Sequence, residues 1–334
     1  MSPIENKMRA LAQAVSALLI ALLLGGCNTL KPATPASTAE PRFDPTRVGP
    51  ARWALVLSSG SIRGYAHIGV VRVLEEEGLK PDLIVGTSAG AIVGALAAAE
   101  ATPGEVDRAA SAIGPYLFMD WTRPHAGLLG GSKIHAFMDE NLRRHNIEEF
   151  PIRFAVVVVE AERACLDIFN AGDVGKAVQA SATVPVMLAP PEIKGKHYFD
   201  GALASPLPVR IARALGAQRV VAVDVTFDPG ERGFHSIVDS FWRATLVMRW
   251  ALSTSEGAEA DLLIEPILPP EREITIANRA DLVAAGERAM RAALPRLREL
   301  LRNKSNRPAS VTPDALSRMV CPELGEALKT LGRQ

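Results

Sequence analysis

The chain is poor in aromatics, poor in cysteine and without an excess of either charge, and each scarcity removes a class of function. Lys plus Arg and Asp plus Glu number 37 each in 334 residues, so no basic surplus exists to meet a phosphate backbone. Aromatic residues make up 5%, too few to suggest stacking platforms for single strands. Nucleic acid is therefore not an expected partner. The three cysteines and six histidines form no cluster with metal-ligand spacing, so no metal is expected. Neither a Walker A spacing nor a dinucleotide fingerprint occurs, and no cofactor is expected. There is no internal repeat. What is abundant is apolar: 48% of residues are hydrophobic and 22% charged, which predicts a sizeable buried core rather than disorder.

The N-terminal end carries its own pattern. Lys7 and Arg9 precede an apolar run from Ala10 to Leu24, followed by Gly25-Gly26-Cys27. A basic start, a short apolar centre and small residues describe a secretory signal, too short for a comfortable spanning helix. The cysteine after small residues resembles a bacterial lipobox, which implies cleavage before Cys27, lipid attachment there and acylation of the new amine. An ordinary signal peptide or signal anchor is the alternative. Asn28 rather than Asp follows, which by analogy with enterobacterial sorting implies an outer-membrane location facing the periplasm. The expected division is a lipoprotein signal over 1–26, a Pro/Ala/Thr-rich flexible tether over 27–50, a folded domain over 51–302 and a loosely packed extension over 303–334. Cys165 and Cys321 would then share an oxidising compartment, and the sequence leaves open whether they pair.

Short apolar runs at Trp53–Leu57, Leu83–Val85, Phe154–Val159, Val220–Val225 and Leu262–Ile264 predict buried strands. Between them, Gly64–Glu77 has apolar residues at helical spacing, and Ser88–Ala99 is nearly all small and apolar. A last helical stretch, Asn278–Leu301, contains Pro295, expected to interrupt or kink it. Strands alternating with helices predict an α/β fold in three layers, a mainly parallel sheet with helices on both faces.

Three short motifs carry chemistry. In Gly86-Thr87-Ser88-Ala89-Gly90 a serine sits between glycines at −2 and +2, where strand turns into helix. That is the pattern of a nucleophile elbow, tight enough that side chains at the glycines would clash. Its structural alternative is a plain small-residue turn. Ser59-Gly60-Ser61-Ile62-Arg63-Gly64 follows the first strand and opens the first helix. Backbone amides there suit an oxyanion hole; the phosphate-binding alternative lacks the right spacing. Asp200-Gly201-Ala202 follows an aromatic run, and the glycine suggests a tight turn that aims the carboxylate.

Through these elements the chain resembles the patatin-like phospholipase family, in its bacterial and neuropathy-target-esterase-type branch. The likeness runs through "SSGSIRGYAHIGVVRVLEEEGLKPDLIVGTSAGAIVGALAAA", "ASATVPVMLAP" and "DGALASPLPV", over roughly residues 52–300. The resemblance implies a patatin-like fold and a dyad of Ser88 as nucleophile and Asp200 as base. It also implies oxyanion donors at the backbone of Gly60, Ser61 and Ile62, supported by Arg63, Gly64, Gly86, Gly90 and Gly201. The substrates it implies are carboxylic esters of membrane lipids, of the phospholipase A or lysophospholipase kind. The family loop usually reads G-G-G-x-[RK]-G. Here serine replaces two glycines, and Ser61 can donate only if its φ/ψ tolerates a Cβ.

Two other readings stay in view. A conventional triad would recruit Asp224 and His235 in the hydrolase order; His67, in the first helix, is expected to be a packing residue. A catalytically silent protein that binds lipid in the envelope would keep the fold without turnover. Phe241, Trp242, Leu246, Val247 and Trp250 form an apolar stripe expected to face the core. Gly127–Ile134 is a candidate mobile cover over the site.

Overall fold

The computed structural model describes residues 37–100, 102–112, 127–226, 236–269, 275–303 and 319–331. Cys27, the signal stretch and His235 lie outside them. In chain order the elements are β1 (Ala54–Leu57), α1 (Tyr65–Glu76), β2 (Leu83–Gly86), α2 (Ala89–Ala98), α3 (Pro103–Ala112), α4 (Ser132–Asn141), β3 (Arg153–Glu160), β4 (Cys165–Phe169) and α5 (Val174–Ser181). There follow β5 (Glu192–Ile193), β6 (Lys196–Asp200), α6 (Val209–Ala214), β7 (Val220–Val223), α7 (Ile237–Gly257), β8 (Leu262–Ile264), α8 (Arg279–Arg302) and α9 (Pro322–Leu331).

The strands form one sheet in the order β5-β6-β3-β2-β1-β7-β8, with β4 pairing β3 off this path. β3, β2, β1, β7 and β8 are parallel neighbours, whereas β4, β5 and β6 join antiparallel. The parallel strands are buried on both faces, which is why they read as unbroken apolar runs. Alternate residues feed two cores: Leu55, Leu57, Ile84, Phe154 and Val156 meet α1, α2 and α8 on one face. Ala54, Val56, Val85, Ala155 and Val157 meet α6 and the 207–217 segment on the other. The layered α/β architecture follows the expectation.

Four local expectations need correction. Residues 37–50 are docked along the body. The Arg42 N–H donates to the Ala171 carbonyl at 2.9 Å and Arg153 grips the carbonyls of Gly49 and Pro50. A Pro-rich stretch without apolar pattern can still be held through its backbone carbonyls. Residues 319–331 of the C-terminal extension also pack: Cys321 forms a disulfide with Cys165, and Val320 and Leu324 are buried. α8 runs through Pro295 unbroken; the proline is exposed while Met290, Leu294 and Leu297 around it are buried, so packing holds both halves. Finally, the apolar stripe on α7 is not buried core, since Val247 and Trp250 are exposed and Trp242 and Leu246 only half-buried. No helix among the described residues is long and apolar enough to cross a membrane.

Candidate active site

β2 runs at the centre of the sheet and delivers Ser88 to the N-terminal end of α2. Ser88 has φ 55° and ψ −117°, a region that costs a non-glycine residue roughly 1–3 kcal/mol and persists only where surroundings enforce it. The enforcement is visible on both sides. A Cβ at Gly86 would lie 2.4 Å from the Gly90 carbonyl oxygen, and one at Gly90 would lie 2.2 Å from that of Leu57. Both obstacles are backbone. The two glycines of the motif are therefore steric necessities of the elbow.

The Ser88 hydroxyl donates to Asp200 Oδ2 at 2.7 Å, across 112 residues of sequence. Asp200 ends β6, and its other oxygen accepts from the Ala202 N–H at 2.8 Å. That bond closes the turn at Gly201 and aims the carboxylate at the serine. Both residues are buried. Burial pushes the Asp200 carboxyl above its ordinary range, opposed by the Ala202 and Ser88 hydrogen bonds and by the charge of Arg249 on α7. A carboxylate deprived of water is a stronger base than a solvated one, which suits it to accept a serine proton.

Two positioning contacts had no signal as such in the sequence, although they lie in the quoted "ASATVP" stretch. Ser181, the last residue of α5, accepts from the Ser88 N–H at 2.9 Å and donates to the Val157 carbonyl at 2.7 Å. The Thr183 carbonyl accepts from the Asp200 N–H at 2.8 Å. One segment thus steadies both members of the pair.

The glycine loop folds as a 3-10 turn over Ser61–Gly64 leading into α1. It abuts the elbow: a Cβ at Gly64 would lie 2.6 Å from the Ala89 Cβ. The Ser59 N–H is tied to the Pro206 carbonyl at 2.8 Å and the Arg63 N–H to the Gly60 carbonyl at 3.0 Å. Gly60, Ser61 and Ile62 lie between these two tied amides. Ser61, the departure from the family loop, has φ 52°, so the serine occupies a conformation in which its Cβ is disfavoured. Arg63 is half-buried inside this turn.

Of the two histidine readings, the described residues include His67. His67 is fully buried, and burial lowers its pKa to about 4. It is neutral, and its Nε2 lies 2.9 Å from the Ser58 carbonyl; a carbonyl only accepts, so that nitrogen carries the proton. It braces the end of β1, as a packing residue should. Asp224 is bound by Ser253 on α7 and by the Thr226 N–H, and its triad companion His235 is outside the described residues. The first part of the candidate cover Gly127–Ile134 is pinned to residues 186–189 by three backbone hydrogen bonds, from Leu128, Leu129 and Ala189. A cavity of about 320 Å³ beside Leu74, Glu75 and Ile152 touches neither Ser88 nor Asp200.

Residues 55–213 match the family described as patatin-like phospholipase. Lysophospholipase NTE1 of Coccidioides immitis is 32% identical over 205 residues, covering 59% of this chain and 13% of its own length. Human patatin-like phospholipase domain-containing protein 6 is 33% identical over 183 residues, covering 52% of this chain and 13% of its own. An uncharacterized NTE family protein of Mycobacterium tuberculosis is 32% identical over 176 residues, with 52% and 49% covered. The chain thus spans a small part of the first two relatives and about half of the third. Among solved structures, VipD of Legionella pneumophila aligns with a TM-score of 0.47 at 14% identity, covering 84% of this chain and 72% of that one. The elbow, the glycine loop and the Asp-Gly turn all fall inside the matched segment. The matched residues supply strands β1 to β6 of the mixed sheet, β7 and β8 lie beyond them, and the whole has the architecture of the patatin fold.

Proposed function

We propose that the chain is a serine acyl hydrolase acting on carboxylic esters of lipids, with Ser88 as nucleophile and Asp200 as its base. The observation that carries this reading is the 2.7 Å hydrogen bond from Ser88 Oγ to Asp200 Oδ2, made by a serine held in a strained elbow at a helix N-terminus. Ser88 Oγ attacks the acyl carbonyl as its proton passes to Asp200 Oδ2. The carbonyl oxygen becomes an oxyanion, received by the amides of Gly60, Ser61 and Ile62 and favoured by the positive end of α2. Collapse expels the alcohol or lysolipid, which takes the proton from Asp200. Water then attacks the acyl-serine as the same carboxylate takes its proton, and collapse returns that proton to Ser88 Oγ and releases the fatty acid. Proton transfer accompanies attack, because an ordinary aspartate at about pKa 3.9 cannot deprotonate a serine beforehand.

The lipid-ester substrate class is supported by the names of the relatives, a phospholipase and a lysophospholipase. A place in the bacterial envelope, anchored through Cys27 at the outer membrane, is the companion proposal; the Cys165–Cys321 disulfide supports an oxidising compartment. Palmitate labelling in a bacterial host, lost in Cys27→Ala, would test the anchor.

The test of the chemistry uses short-chain nitrophenyl esters. Ser88→Ala should lose on the order of 10⁴-fold or more in turnover, and Asp200→Asn about 10²–10⁴-fold. His235→Ala should keep wild-type rates. A required His235 would instead establish the conventional triad.

A further inference from the structure

A buried carboxyl that the proposed reaction does not use sits behind the point where all three loops of the site meet. That point is Ser205-Pro206. The Ser205 N–H donates to the Gly201 carbonyl at 2.9 Å, just after Asp200. The Ser205 carbonyl accepts from Thr87 Oγ1 at 3.0 Å, just before Ser88. The Pro206 carbonyl accepts from the Ser59 N–H at 2.8 Å, where the glycine loop begins. Two consecutive residues therefore tie the Asp-Gly turn, the elbow and the glycine loop to one another.

What fixes Ser205 itself is Glu256, near the end of α7. The Ser205 hydroxyl lies 2.9 Å from both of its carboxyl oxygens, and the Leu207 backbone amide bonds the same carboxyl. Glu256 is 4% exposed and Ser205 2% exposed. One turn earlier on the same face of α7, Ser253 bonds Asp224, and Val225 after it donates its N–H to Ser58 Oγ at 2.9 Å. α7 thus reaches the site at two places, through two buried polar side chains. A buried carboxyl is costly to keep without a structural return, because its polar atoms must find partners away from water.

We infer that Glu256 is a positioning residue, which through Ser205 holds the elbow, the glycine loop and the Asp-Gly turn in register for acyl transfer. This rests on the acyl-hydrolase reading. The charged groups acting on it are Arg210 on α6 and Glu259 on α7, and these are bonded to each other at 2.6 Å. Burial pushes the Glu256 carboxyl up to about 8, so at neutral pH it is the uncharged acid, able to donate to Ser205 Oγ as well as accept. Ionisation at higher pH turns that donor into a second acceptor and places a charge in the core.

The experiment compares full-length wild type, Glu256→Ala, Glu256→Gln and Ser205→Ala in nitrophenyl ester turnover from about pH 6 to about 9.5. Fluorophosphonate labelling of each is followed by intact mass. Glu256→Ala is expected to lower kcat about 10–100-fold with KM within about 2-fold, the signature of misplaced groups rather than lost binding. Ser205→Ala should reproduce that loss, and Glu256→Gln, whose amide can donate and accept, should recover most of it. Wild type should lose kcat above about pH 8, and Glu256→Gln should not. A folded Glu256→Ala with wild-type kcat, or a Glu256→Gln that keeps the alkaline fall, overturns the inference alone. If Glu256→Ala fails to fold, Ser205→Ala and the Glu256→Gln pH profile decide it by the same criteria. A folded wild type that neither labels nor turns over removes the hydrolase reading, and this inference with it.

Discussion

The two glycine-bearing turns that frame the candidate site are built on different constraints. At the elbow, the atoms that forbid a side chain at Gly86 and Gly90 are carbonyl oxygens of the backbone itself, 2.4 and 2.2 Å away. At the glycine loop, the atom that crowds Gly60 is a side-chain methyl, Val225 Cγ2 at 2.5 Å. Next to it an exposed serine, Ser61, holds φ 52° without being glycine. The elbow is locked by the sheet and admits no variation. The loop is held by packing and admits some, which leaves room for a serine at position 61.

That contrast can be broken in steps. Gly90→Ala should have the largest effect, destabilising by about 3 kcal/mol or more, because Leu57 cannot retreat without disturbing β1. Chemical denaturation would measure it, and a near-neutral result would mean the elbow is far more pliable than its geometry. Gly60→Ala should cost only about 1–2 kcal/mol, since Val225 can change rotamer, while lowering turnover more than stability accounts for. Equal stability losses in the two variants would erase the distinction.

Asp200→Asn sharpens the comparison from the carboxylate side. Burial raises the folded pKa of Asp200 above its ordinary 3.8. Such a group's contribution to stability is full below the unfolded pKa and is lost as pH rises through the folded value. The stability difference should therefore shift in favour of Asp200→Asn between about pH 3 and neutrality, even as turnover falls. Urea midpoints at a series of pH values would show it; a gap that moves the other way would mean the carboxylate is stabilised as the anion. The smallest expected effect is that of Ser61→Gly. Relief of about 1–2 kcal/mol of left-handed strain is offset by about 0.5–1 kcal/mol of added backbone freedom in the unfolded chain. A net change within about 1 kcal/mol is expected.

The parts of this molecule legible in the sequence are those decided locally. The five parallel strands are buried on both faces and announce themselves as apolar runs. The elbow is legible because its steric demands fall within five residues. The Asp-Gly turn is legible only as a turn: that its carboxylate meets Ser88 depends on β6 joining β3 antiparallel, a long-range pairing without a local signature. Ser181 and Glu256 were missed for the same reason, each being an ordinary polar residue until folding brings it 2.9 Å from its partner. Composition misled at residues 37–50, where proline-rich sequence suggested a tether but backbone carbonyls and ion pairs such as Lys176–Glu40 dock the chain. It misled again on α7, where Val247 and Trp250 of the apolar stripe are exposed.

The most direct measurement is the site of covalent labelling. Folded full-length protein is treated with a fluorophosphonate, digested and mapped by mass. The dyad predicts one adduct, on the peptide bearing Ser88, absent in Ser88→Ala and strongly slowed in Asp200→Asn. An adduct on another serine, or none on protein shown to be folded, would contradict the assignment of Ser88 as an activated nucleophile.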